Sequence, residues 1–93
     1  MDSSQSWLQI FKNWPAGYPR TGLVVTTFQE SIPFANFMIA DGVLLLERDK
    51  PDAYGARKAM ISLDAIAAVK LLDTFELSRF KAFGFEGPAS AAK

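Results

Sequence analysis

Ser62-Leu63-Asp64-Ala65-Ile66-Ala67-Ala68-Val69-Lys70-Leu71 is the stretch whose reading decides the fold. Taken alone it reads two ways. Its alanines suit a helix begun by Ser62 as N-cap. It also reads as the joint between two apolar runs, Lys58 to Leu63 and Ile66 to Leu72, with a tight break at Asp64-Ala65. The preceding chain favours strands. Leu23-Val24-Val25-Thr26-Thr27-Phe28 is β-branched and apolar, and Gln29-Glu30-Ser31 is a short polar break. Alternation resumes from Ile32 to Ile39, where Pro33, lacking an N–H, marks an edge position, a strand start or a bulge. Asp41-Gly42 between apolar residues is the best hairpin signal. Val43-Leu44-Leu45-Leu46 returns, Glu47 and Arg48 mark its exit, and a polar loop runs from Asp49 to Ala56. A hairpin so placed leaves open edges that need pairing, and the last two runs supply it. The expectation is a mainly β fold, with a five-stranded, strongly bent antiparallel small β-barrel over residues 23–72.

Helices are expected on both sides of the barrel. Trp7, Ile10, Phe11 and Trp14 fall at i, i+3, i+4 and i+7, which places them on one helical face. Ser6 and Gln9 stand in capping-box relation, and Pro15, Gly17 and Pro19 end the pattern, so a helix is expected over 6–14 as a lid on an open barrel end. Asp73 and Glu76 repeat the capping-box spacing and Gly84 is placed to stop a helix, giving a short C-terminal helix over 73–84. Residues 85–93, rich in small side chains, read as a flexible tail. The whole chain, 1–93, reads as one domain.

Composition narrows the function. The chain is 49% hydrophobic and 13% aromatic, more apolar surface than 93 residues can readily bury, which points to a homo-oligomer. Ten basic and ten acidic residues cancel, so no net field attracts phosphate or anionic lipid. Cysteine and histidine are both absent, which removes disulfides, thiolate metal sites and the commonest general base. The start of the chain has no signal-peptide pattern and no run is long enough to span a bilayer, so a cytoplasmic, non-membrane protein is expected.

The order of a helix followed by five strands, the last two joined by an abrupt turn, resembles the Sm-like family, including the bacterial Hfq-like small β-barrels. SH3-like barrels share the outline. The likeness is carried by Phe37-Met38-Ile39-Ala40-Asp41-Gly42-Val43-Leu44-Leu45-Leu46 and by Ile61-Ser62-Leu63-Asp64-Ala65-Ile66-Ala67-Ala68-Val69. It covers about Ser6 to Leu72. The family's second motif usually carries a basic residue with glycine, or Lys-His; Ser62-Leu63 or Leu63-Asp64 stand there instead. Beside Asp41, Gly42 and Val43 replace its base-stacking aromatic or asparagine. The resemblance therefore implies ring assembly without the usual RNA contacts. Sm-like rings pair the fourth strand of one subunit with the fifth of the next, which implies Met60, Ile61, Leu63, Ile66, Val69 and Leu71 as interface residues.

No catalytic, cofactor or metal site is expected. Glu47, Asp49 and Asp52 cluster around one loop and could hold a cation or act as an acid–base pair, but loop carboxylates are mostly solvated charge. Phe75-Glu76-Leu77-Ser78-Arg79-Phe80-Lys81-Ala82-Phe83 interleaves aromatics with cations. It suits packing against the chain's own sheet first, a protein partner second and a nucleic-acid strand last. The expectation is a non-enzymatic, oligomeric scaffold or binding module. Alternatives are an RNA binder using Asp41, Arg57, Lys58, Arg79 and Lys81, with Arg20, and a small enzyme subunit using the carboxylate loop.

Overall fold

The computed structural model describes residues 3–88. Helix α1 spans Ser3–Lys12, and six strands follow: β1 Gly22–Thr26, β2 Ser31–Phe34, β3 Asn36–Ala40, β4 Val43–Glu47, β5 Lys58–Ser62 and β6 Ile66–Lys70. A 3-10 turn, Leu63–Ala65, joins the last two strands, and a 3-10 helix occupies Leu77–Phe83. The fold is mainly β, as expected. The tract after Ser62 is extended on both sides of its turn, not a continuous helix.

Two three-stranded antiparallel sheets form, ordered β2-β1-β6 and β3-β4-β5. This corrects the expectation of five strands closed into a barrel. The run from Ile32 to Ile39 divides at Ala35, where the chain leaves one sheet for the other, so one expected strand becomes β2 and β3. Ala35 itself donates its N–H to the Glu47 carbonyl at 2.7 Å, holding the crossing point against β4. Pro33 lies in β2, an edge strand, where its missing donor is tolerated. Asp41-Gly42 makes the expected tight hairpin between β3 and β4, with Gly42 at φ 82°.

Alternation builds the core. β1 buries Gly22, Val24 and Thr26 on one face, and β4 buries Leu44 and Leu46. These meet Ile32, Phe34, Phe37, Leu63, Ile66 and, from α1, Phe11. The hydroxyl of buried Thr26 accepts from the Glu30 N–H at 3.0 Å, so the turn after β1 leaves it partnered. At Gly22 the strands come so close that an added Cβ would stand 2.5 Å from the Lys70 carbonyl oxygen and 3.2 Å from the Phe34 ring. Gly22→Ala is expected to lower the unfolding free energy by about 1–3 kcal/mol through overpacking, read as a lower urea midpoint. An unchanged midpoint would show that the β1–β6 contact is looser than this geometry.

The helices differ from expectation in detail. α1 begins three residues before Ser6 and ends at Lys12. The Ser6–Gln9 capping box does not form, because Gln9 Oε1 accepts from Asn13 Nδ2 at the far end of the helix, 3.0 Å away. At the C-terminal end the Asp73 carboxylate accepts from Phe75 N–H at 2.8 Å and so shapes a turn, while the helix itself starts only at Leu77 and is 3-10. Gly84 stops it in the left-handed region at φ 100°, as its placement implied. Of the expected tail, Phe85 to Pro88 are exposed, and residues 89–93 lie outside the described residues.

Candidate functional site

The two sheets have four edge strands; β2 and β3 adjoin through Ala35, while β5 and β6 lie at the two ends of the strand path. Among the described residues nothing pairs with the outer side of β5 or of β6, and each edge is five residues long. For β5 the outward groups follow from register. Arg48 N–H donates to the Arg57 carbonyl at 2.9 Å and Leu63 N–H to the Gly42 carbonyl at 3.0 Å. Antiparallel pairs alternate between bonded and non-bonded, and the register is unbroken from Glu47–Lys58 to Val43–Ser62. Residues 57, 59, 61 and 63 therefore turn their backbone groups toward β4. Lys58, Met60 and Ser62 turn theirs outward, free to pair with another strand.

The expected interface residues divide between edge and core. Met60 is 76% exposed, at the middle of the β5 edge. Ile61 is half-buried against the core, and Leu63 and Ile66 are buried in it, so their side chains stabilise the protomer itself. Val69 and Leu71 are half-buried along β6 and just beyond it. With Trp7, Ile10, Trp14, Phe80, Phe83 and Phe85 they line an open cleft of about 600 Å³ beside β6. Met38, Leu45 and Met60 form a cross-strand row on the face of β3-β4-β5 turned from the core, and Met38 is 68% exposed.

An aromatic cluster that runs further than the helical spacing of α1 revealed holds the cleft walls. Phe11 stacks on Trp14 with centroids 5.7 Å apart and meets Phe37 edge-on at 5.0 Å. Trp14 in turn meets Phe83 edge-on at 4.9 Å, and its indole N–H donates to the Pro19 carbonyl at 3.2 Å. The Arg20 guanidinium lies 3.7 Å from the Phe37 ring centre while donating to Asn36 Oδ1 at 2.9 Å and the Phe37 carbonyl at 2.8 Å. Arg20 is thereby committed to structure. The reading of Arg20 as an RNA contact misses this because Asn36 and Phe37 are sixteen and seventeen residues away.

The five residues considered for RNA contact do not converge. Asp41 sits at the β3–β4 turn, beside the end of β5 that carries Ser62 and Leu63. Arg57 and Lys58 lie at the opposite end of that sheet, about 20 Å away at roughly 3.3 Å per strand residue. Lys58 Nζ faces Glu47 Oε2 at 3.8 Å across the ladder. Arg79 lies over the Tyr18 and Phe75 rings at 5.2 and 4.3 Å, and Tyr18 Oη donates to its carbonyl at 2.6 Å. Lys81 is exposed on the same segment.

The carboxylate loop is likewise organised around structure. Asp52 Oδ1 accepts from the N–H groups of Tyr54 and Ala56, each at 2.8 Å. Those two bonds hold its carboxyl below the usual carboxylate value, with the Arg48 charge adding to the effect. A depressed folded value stabilises the loop above the ordinary carboxylate range and loses that stabilisation as pH falls through the lowered value. The amide resonances of Tyr54 and Ala56 are accordingly expected to titrate together at acid pH, below where a free aspartate titrates. Titration at the free value would show that Asp52 does not hold the turn. Among the described residues no three Asp or Glu side chains are placed to share a metal ion. No helix there is long and apolar enough to cross a membrane. No protein-family model, no curated protein and no solved structure matches the chain.

Proposed function

We propose that this protein is a non-enzymatic, cytoplasmic, Sm-like small β protein, built of two three-stranded sheets, whose copies join head to tail, β5 to β6, into a closed ring that serves as a scaffold or binding module. The observation that carries the reading is the pair of unpaired edges of equal length at the two ends of the strand path. β2 and β3 are separated by Ala35 alone, so the path runs β6-β1-β2, through Ala35, to β3-β4-β5. Its two ends are different surfaces. A contact between them is heterologous, and such contacts close into rings when the rotation permits. An exposed strand edge is otherwise a template for uncontrolled pairing, and closure removes it. The short 3-10 turn between β5 and β6 and the helix ahead of the strands add support, since both belong to the Sm-like outline.

The assembly is tested by the mass of the full chain in solution, measured by light scattering with and without a short oligouridine. A fixed multiple of 10.2 kDa is expected at micromolar concentration. A monodisperse monomer would overturn the reading. RNA contact through Asp41, Arg57, Lys58, Arg79 and Lys81 is the second reading, and their dispersal weighs against it.

A further inference from the structure

We propose that Met60 of a second copy seats in the apolar cleft beside β6, its strand β5 pairing antiparallel with β6 so that residues 58–62 oppose residues 67–71. The inference rests on the ring reading above and fixes the register and the face of its joint. The ladders decide which groups of β6 are free. Thr26 N–H donates to the Glu30 carbonyl at 2.8 Å, and the β1–β2 pairing continues without a break to Gly22 and Phe34. Gly22, Val24 and Thr26 thus turn their backbone groups toward β2, and Leu23 and Val25 turn theirs toward β6. Leu23 stands opposite Lys70 and Val25 opposite Ala68. Lys70 and Ala68 are therefore engaged with β1, and Val69 between them turns its N–H and carbonyl outward. Its side chain stands opposite that of buried Val24, on the core face, where it lines the cleft.

Met60 is the matching group on β5. Its backbone points outward at the middle of that edge, and its side chain is 76% exposed on the face turned from the core. In an antiparallel ladder two residues that exchange bonds stand directly opposite, with their side chains on one face. Met60 against Val69 therefore delivers the thioether to the cleft, beside Leu71, Trp7 and Trp14. Centring the pair there gives every residue of β5 an opposite number, from Ala67 to Leu71. In a parallel ladder a residue bonds to the two that flank its opposite number, so Val69 and Leu71 would set Met60 beside Lys70, on the other face of β6. Among the described residues no ionisable side chain lines the cleft, so the antiparallel arrangement gives the methionine an apolar seat and the parallel one gives it a charge. An unbranched thioether suits an irregular aromatic gap, and sulfur makes favourable contacts with ring edges. The seat accounts together for an exposed methionine and an open apolar cleft, both of which a lone copy leaves in water.

The chain has no cysteine, so an introduced pair reports the joint directly. Bonded antiparallel partners stand about 5.5 Å apart at Cα, within the span of a disulfide. The full chain carrying Met60→Cys and Val69→Cys, treated with oxidised glutathione, is expected to run on a non-reducing denaturing gel as linked multiples of 10.2 kDa. Met60→Cys with Lys70→Cys is expected to remain as single chains. Met60→Ala keeps every backbone bond, and light scattering over a dilution series is expected to show its assembly dissociating at a concentration about tenfold higher or more. Met60→Leu should stay within about threefold of the native chain. Far-UV circular dichroism reports that each variant is folded. Cross-linking through Lys70→Cys instead of Val69→Cys, no cross-link at either, or a Met60→Ala chain that assembles as tightly as the native one would each overturn the seat while the ring stands. A native chain that is monomeric overturns the ring, and the seat falls with it.

Discussion

Met60→Pro is expected to reduce the assembly to a monomer of 10.2 kDa with its fold intact. The backbone N–H of Met60 points away from β4, so its removal breaks no bond of the β4–β5 ladder. Proline is tolerated at such outward edge positions for that reason. On the outer side the same change deletes a central donor and places a ring where the neighbour's carbonyl must approach. Each interface hydrogen bond is worth about 1 kcal/mol net, but every joint of a ring carries the same lesion, so the loss multiplies around the circle. Light scattering and far-UV circular dichroism report mass and fold separately. A variant that stays assembled would show that β5 is not the joint, and a native chain that is already monomeric would leave no joint to break. Charged replacements at Ile66 are a poorer test: that side chain is 3% exposed, and a buried aspartate would unfold the protomer.

Phe11→Ala is expected to cost about 3–5 kcal/mol, a large share of the roughly 5–15 kcal/mol that holds a domain of this size. Phe11 is 2% exposed and is the one fully buried side chain of α1. It touches Trp14 and Phe37, so its loss hollows the junction of helix and sheet. A ten-residue helix is marginal by itself and depends on that packing. The melting temperature should fall by more than about 12 °C, with helical signal lost ahead of sheet signal. Phe28→Ala provides the contrast: that ring is 63% exposed, and the change should stay within about 0.5 kcal/mol. Equal costs at the two positions would mean that α1 does not seal the core.

Much of this architecture was legible in the residues. A β-branched run located β1, apolar runs between turn residues located β4, β5 and β6 to within a few positions, and Asp41-Gly42 located its hairpin. The unusually apolar composition also signalled surface left uncovered, which the structure shows at Met38, Met60 and Tyr54. Boundaries set by competition between partners were less legible. Gln9 could bond toward Ser6 or toward Asn13, and nothing local favours one. The candidate sites were read least well. Arg20, offered as an RNA contact, is instead bound to Asn36 and Phe37, and no local pattern marked Tyr54 as a ring left in solvent.

Local pattern, β-branching and turn residues, which act over a few neighbours, determined which segments ahead of Ser62 are extended and where they turn, whereas the tract after Ser62, readable two ways alone, was read as strands from the open edges before it. Only the tertiary structure decided that the run from Ile32 to Ile39 serves two sheets, dividing at Ala35. It alone decided that β5 and β6 do not meet each other, and that Leu63 and Ile66 face inward while Met60 faces out. Those outcomes depend on which distant strands share one core, a choice made by packing the whole chain at once.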